Sequence, residues 1–155
     1  MSKKKNIKKW AWVLTGSGHF FTETIDLINK LKEVDLFVSK AAEEVLVMYK
    51  KKGKISETVR IYQDNSASSA SVGKFYKGAY HTVVMAPTSS NTVAKCVYGI
   101  SDSLATNIFA QSGKCKVECI FFSMWYGSGI ENNGAKWDGR CISKGNRLRE
   151  CKEIK

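Results

Sequence analysis

The stretch Thr82-Val83-Val84-Met85-Ala86-Pro87-Thr88-Ser89-Ser90-Asn91-Thr92-Val93-Ala94-Lys95 decides the fold. Residues 82–86 form an unbroken apolar run, as expected of a parallel strand buried on both faces. Pro87 is expected to end the ladder. Thr88, Ser89, Ser90 and Asn91 then set hydroxyls, an amide and free backbone N–H groups at the carboxyl end of that strand, where open α/β sheets bind ligands. Asn91 or Thr92 is expected to cap the helix that follows, and its amino end favours an anion. An ordinary strand-to-helix loop with a good cap is the rival reading of these residues alone.

Upstream, Trp10-Ala11-Trp12-Val13-Leu14 reads as a first buried strand ending in Thr15-Gly16-Ser17-Gly18-His19. Such a loop turns tightly and exposes N–H groups before a helix, an arrangement that cradles phosphate. It is neither G-x-G-x-x-G nor a Walker loop, so the dinucleotide and nucleoside-triphosphate readings lose their best support. Phe21, Ile25, Ile28 and Leu31 recur at helical spacing over 20–32, Val34 to Ser39 is a second strand, and Ala42, Val45, Leu46 and Tyr49 mark a helix over 40–51. Strand, helix, strand, helix implies right-handed crossovers and a mainly parallel sheet.

Downstream, Val59-Arg60-Ile61-Tyr62 suits a short strand, Ser66 to Ser71 a flexible loop, and 72–80 a short helix or turn. Residues 92–98 are expected to be helical up to Gly99. Ser101 or Asp102 then caps a helix with Leu104, Ala105, Ile108 and Phe109 on its apolar face, ending near Ser112-Gly113. Lys116 to Phe122 is a further strand, with Cys115 and Cys119 on one face of it. Residues 123–155 show no period, and a loop, an oligomer arm or a disordered tail all fit. The fold class is therefore α/β, a three-layer Rossmann-like (flavodoxin-like) sheet with helices on both faces. Its parts are a basic tail over 1–9, a ligand-binding domain over 10–122 and an irregular basic segment over 123–155.

The chain has 155 residues, enough for one domain with a sizeable core. Its net charge of +11 sits at the ends: residues 1–9 carry five lysines and no acid, 136–155 contribute +4, and +2 remains for the middle. Such tails favour solubility or salt-sensitive attraction to polyanions over specific nucleic-acid recognition. A non-catalytic module that binds nucleic acid through them is a rival whose binding would collapse with salt. No apolar run approaches the ~18 residues of a membrane span, and no signal-like apolar region follows the first lysines, so a cytoplasmic location with reduced cysteines is expected. Cys96, Cys115, Cys119, Cys141 and Cys151 show no metal-ligand spacing, so no metal site is expected.

Three strand ends now bear small polar loops: Thr15-Gly16-Ser17-Gly18, Ser39, and Thr88 to Thr92. In a parallel sheet they fall on one edge, where they offer donors for one phosphate and a shelf for a planar ring. The lack of a Walker lysine and of an acidic metal pair disfavours triphosphate hydrolysis. FMN fits this set best.

These residues, with Val38 to Glu43, Ser71-Val72-Gly73-Lys74-Phe75-Tyr76 and Gly99 to Asn107, resemble the flavoprotein superfamily of homo-oligomeric flavin-containing cysteine decarboxylases over about residues 10–120. The resemblance is strongest to its archaeal redox branch of archaeoflavoproteins and dihydromethanopterin reductase-like proteins. It implies an FMN phosphate loop at Gly16, Ser17 and Gly18 with Ser39, and a flavin motif at Ser89, Ser90, Asn91 and Thr92. Ser101 and Asp102 continue the ligand-side wall, and Thr15, His19 and Thr88 beside these segments complete the expected cofactor-binding set. The family binds FMN between subunits, in trimers or multiples of trimers, which implies contact by residues 66–76 with a neighbour. The decarboxylase branch carries a catalytic histidine in the region matching 71–74, and none stands here.

No catalytic side chain is therefore assigned. His19 follows the phosphate loop, whereas His81 precedes a buried strand and suits a structural role. The expected function is an FMN-dependent oxidoreductase that passes electrons from a separate donor such as ferredoxin to a pterin or other acceptor. A flavin-dependent decarboxylase or prenyltransferase-type enzyme is the alternative.

Overall fold

Strand β1 (Lys9–Leu14) is the centre of the sheet, because its residues alternate between two apolar surroundings and need cover on both sides. The computed structural model of the chain describes residues 8–51, 53–64, 71–123 and 140–143. In chain order the further elements are α1 (Phe21–Lys30), β2 (Val34–Val38), α2 (Lys40–Met48), β3 (Arg60–Gln63), β4 (Tyr80–Thr88), α3 (Ser90–Val97), α4 (Leu104–Lys114), β5 (Glu118–Ser123) and β6 (Arg140–Ser143). The strand order is β3-β2-β1-β4-β5-β6. The first five strands run parallel, and β6 joins β5 antiparallel.

Helices cover both faces of this sheet. Trp12 and Leu14 of β1 pack with Phe21, Ile25 and Ile28 of α1 and with Ala42, Val45 and Leu46 of α2. Ala11 and Val13 point the other way, into a second core with Cys96 of α3 and Leu104, Ala105 and Ile108 of α4. Each fully buried large side chain contributes about 1.5–3 kcal/mol, so the period of two along β1 is what separates the helices into two layers. The expected three-layer α/β architecture is the observed one.

The chain winds outward from β1 to β3, returns, and continues outward on the other side from β4 to β5. The direction reverses between β1 and β4, which is where open parallel sheets form a ligand crevice at their carboxyl edge.

Several boundaries differ from the sequence reading. Pro87 does not end β4: the Ala86–Pro87 peptide is cis, and pairing resumes beyond a register shift with Thr88 opposite Ser123. Pro87 lacks an N–H, yet its carbonyl accepts from the Thr15 N–H at 3.3 Å. Helix α4 runs past Ser112-Gly113 to Lys114, so Cys115 caps that helix and does not share a strand face with Cys119. The segment beyond Phe122 is not wholly irregular either, since Arg140–Ser143 pairs with residues 119–122. Among the described residues, no helix is long and apolar enough to cross a membrane.

The opposite, amino edge holds a polar cluster. Asp35 of β2 is buried and accepts hydrogen bonds from the Tyr80 hydroxyl at 2.8 Å and from Lys9 Nζ at 3.3 Å. Tyr62 donates to the same carboxylate at 3.4 Å, and Lys74, bonded to Tyr62, stands 3.7 Å from it. Burial, then the hydrogen bond to Asp35, pushes the Tyr80 phenol far above the usual tyrosine range. His81 packs edge-on against Trp10 at 4.5 Å on this edge, in keeping with a structural role.

Candidate functional site

A row of hydrogen bonds ties together the carboxyl ends of four strands. Asp64, just after β3, donates its N–H to the Val38 carbonyl of β2 at 3.1 Å, and Ser39 donates to Leu14 of β1 at 3.1 Å. Thr15 reaches β4 twice, through its N–H and through Oγ1, which donates to the Pro87 carbonyl at 3.0 Å. The same Thr15 oxygen accepts the Ser89 N–H at 2.7 Å. The loop after β1 and the amino end of α3 are thereby joined at the reversal of strand order.

Thr15 and Thr88 serve this frame rather than its surface. Both are buried, and the Thr88 hydroxyl donates to the Met85 carbonyl. Their hydroxyls hold the floor of the expected site, because strand-end side chains that face the core must find backbone partners there.

The glycines are needed for close approach. A Cβ on Gly16 would lie 2.6 Å from the Ala41 Cβ in the first turn of α2, and one on Gly18 would lie 2.8 Å from the Tyr49 hydroxyl. Packing the loop this tightly on α2 leaves the backbone N–H groups of Gly16, Ser17 and Gly18 without a partner among the described residues. Consecutive unpaired N–H groups beside a helix amino end are the donor set that an anion takes.

Two helix amino ends converge on this loop. Ser39 caps α2, its Oγ accepting the Ala42 N–H at 3.2 Å. Ser89 caps α3, its Oγ accepting the Thr92 N–H at 3.4 Å and meeting the Thr92 hydroxyl at 3.0 Å. The expected caps Asn91 and Thr92 instead lie inside the first turn of α3, where Ser90 and Asn91 are exposed. His19 is also exposed, next to the loop.

Ser101 and Asp102 are exposed beyond α3 and do not join this cluster through any hydrogen bond among the described residues. Asp102 pairs with Lys95 at 2.6 Å, and that hydrogen bond holds its carboxyl below the usual range. Helix α4 is capped not by these two but by Ser103, in a capping box with Thr106. Asp64 also accepts the Leu104 N–H at 3.2 Å. Sequence reasoning missed Asp64, whose signal was only its place just after a short strand. Residues 66–70, expected to meet a neighbouring subunit, lie outside the described residues, as do 1–7 and 144–155 of the basic ends.

Known proteins are similar to this chain. A dihydromethanopterin reductase (acceptor) of Methanocaldococcus jannaschii is 35% identical over 136 residues, covering 79% of this chain and 55% of the relative. One of Methanosarcina mazei is 38% identical over 126 residues, covering 72% and 53%. The chain thus spans about half the length of these curated relatives. Among solved structures, Burkholderia xenovorans DmrB in complex with FMN, described as a cubic protein cage for redox transfer, superposes with a TM-score of 0.71. It is 41% identical, with 92% of this chain and 78% of that chain covered. The Flavoprotein family model matches residues 1–130. The chain belongs to the Flavoprotein family.

Proposed function

We propose that the carboxyl edge holds FMN and that the protein is an FMN-dependent oxidoreductase, moving electrons from a small donor protein such as ferredoxin to a pterin or similar acceptor. The observation that carries this reading is the Thr15–Ser89 hydrogen bond, which sets the unpaired N–H groups of residues 16–18 beside the amino end of α3.

The residues fit the cofactor. One phosphate matches one loop of unpaired donors together with the amino end of α2 at Ser39, whose open first-turn N–H groups and dipole favour a dianion. Ser17 is half-buried on that loop and adds a hydroxyl. Ser90 and Asn91, exposed at the start of α3, supply an amide and N–H groups for the heteroatoms of a planar ring. Ser89 and Thr92, engaged with each other, orient that turn. The bound flavin supplies the redox chemistry, while this chain binds, orients and screens it.

The reading extends to assembly as a trimer or a multiple of trimers, with a second copy of the chain completing the flavin site. Val97, Tyr98 and Ile100 at the end of α3 are exposed apolar side chains close together in the chain, of the kind that interfaces bury, and Tyr76 ahead of β4 is exposed as well. The FMN-bound relative, a cage, supports it.

The test is titration of flavin-free protein with FMN, read by flavin fluorescence and the visible spectrum, together with solution mass. Stoichiometric uptake by an oligomer is expected. A colourless protein that stays colourless when FMN is added overturns the reading.

A further inference from the structure

Among the described residues, four other than glycine have left-handed backbones: Phe20 (φ 54), Glu33 (φ 57), Lys50 (φ 52) and Lys116 (φ 56). Lys50 and Lys116 have the usual reason, because they close the ends of α2 and α4. There Lys51 donates back to Leu46 at 2.9 Å and Val117 to Ser112 at 2.8 Å. Glu33 lies in the turn between α1 and β2, its carbonyl accepting the Trp10 N–H at 2.9 Å. Phe20 differs. It holds the cap position at the amino end of α1 and makes no side-chain cap bond.

A bulky side chain is rarely found in this backbone region, where glycine or asparagine would sit with less strain. Core packing does not require the ring, since Phe21, Ile25 and Ile28 already bury the inner face of α1. Phe20 is 46% exposed and, among the described aromatic rings, meets only Phe122, in a T-shaped contact at 5.6 Å and 74°. Phe122 is near the end of β5 and packs on the α1 side of the sheet. The pair therefore borders the carboxyl end of β4 from the α1 face, while the first turn of α3, with Asn91, approaches from the other face. Strain held beside the proposed cofactor edge, on an aromatic side chain the core does not use, is the pattern of a retained contact residue.

We propose that Phe20 is the ring against which the electron acceptor lies: a planar, fused nitrogen heterocycle of the pterin type stacks on Phe20 next to the flavin. This rests on the FMN reading above and adds the residue that selects the acceptor. The T-shaped contact with Phe122 braces the ring and leaves a face for stacking.

The test uses FMN-loaded, full-length protein with 7,8-dihydrobiopterin as the probe. Phe20→Ala is expected to weaken probe binding about tenfold, the scale of one lost aromatic contact, while the Kd for FMN and the solution mass stay the same. Phe20→Trp restores probe binding. Phe20→Gly loses it as Ala does yet raises Tm, because glycine relieves the backbone; a purely structural ring would not separate stability from binding in this way. Unchanged probe affinity in Phe20→Ala overturns the proposal, as does a loss confined to FMN affinity or a change in oligomer mass. Failure of the wild-type protein to take up FMN overturns the cofactor reading itself, and with it this one.

Discussion

The backbone N–H of Ser89 donates to the Thr15 hydroxyl at 2.7 Å, and that hydroxyl donates in turn to the Pro87 carbonyl. One buried oxygen thus links β1 to both sides of the β4–α3 junction. Thr15→Val keeps the shape and removes the oxygen, leaving the Ser89 N–H without its acceptor. A loss of about 1–3 kcal/mol is expected, measured by urea unfolding, with weaker FMN binding in the same variant. Thr15→Ser should recover most of both.

Gly16 touches α2 where no side chain fits. Gly16→Ala forces its methyl against the Ala41 Cβ, 2.6 Å away, and should cost about 1–3 kcal/mol, as overpacking does. Pairing it with Ala41→Gly removes the clash and should restore part of the stability, less up to about 1 kcal/mol for a glycine within a helix. A double-mutant cycle on thermal unfolding reads the coupling.

The amino-edge cluster should affect stability and not the site. Tyr80→Phe removes the 2.8 Å hydrogen bond to the buried Asp35 carboxylate, a loss of about 1.5–3 kcal/mol. FMN affinity should remain at the wild-type value, because Asp35 and Tyr80 lie at the far ends of their strands from residues 15–18 and 89–92. Equilibrium unfolding and FMN titration of the same preparation separate the two effects.

Burial pushes the Cys96 thiol up to about 12 from its ordinary 9.0. The folded state therefore holds this proton more tightly than the unfolded chain does. Its contribution to stability is complete below pH 9 and is lost as the pH rises from there toward about 12. Native protein at pH 8 should leave Cys96 unmodified by iodoacetamide, and the reagent should reach it only on unfolding, as peptide mass mapping would show.

The parts of the fold visible in the sequence were those where burial acts on both faces. Trp10 to Leu14 and Thr82 to Ala86 are continuous apolar runs because helices cover each side of β1 and β4. The caps were harder to place. Ser89, Ser90, Asn91 and Thr92 all suit a cap chemically, and only the extended backbone of Ser89 (φ −73, ψ 147) selects it. The same degeneracy placed the cap of α4 at Ser101 or Asp102 rather than Ser103. The backbone partners of the Thr15 and Thr88 hydroxyls were not legible, because composition does not reveal which way a strand-end hydroxyl turns. Phe20 gave no signal at all, since its significance lies in a backbone angle.

The antiparallel β6 has a consequence for how the chain behaves in company. Without it, β5 would present a row of bare amide and carbonyl groups on a strand containing Ile120, Phe121 and Phe122, a template on which other chains could add strands without limit. Arg140–Ser143 covers residues 119–122 of that border through the strand pairing that is closest in sequence among those described, so it closes only a short loop. The edge then passes to β6, a strand of only four residues that begins with an arginine, and an edge that short offers other chains little to pair with.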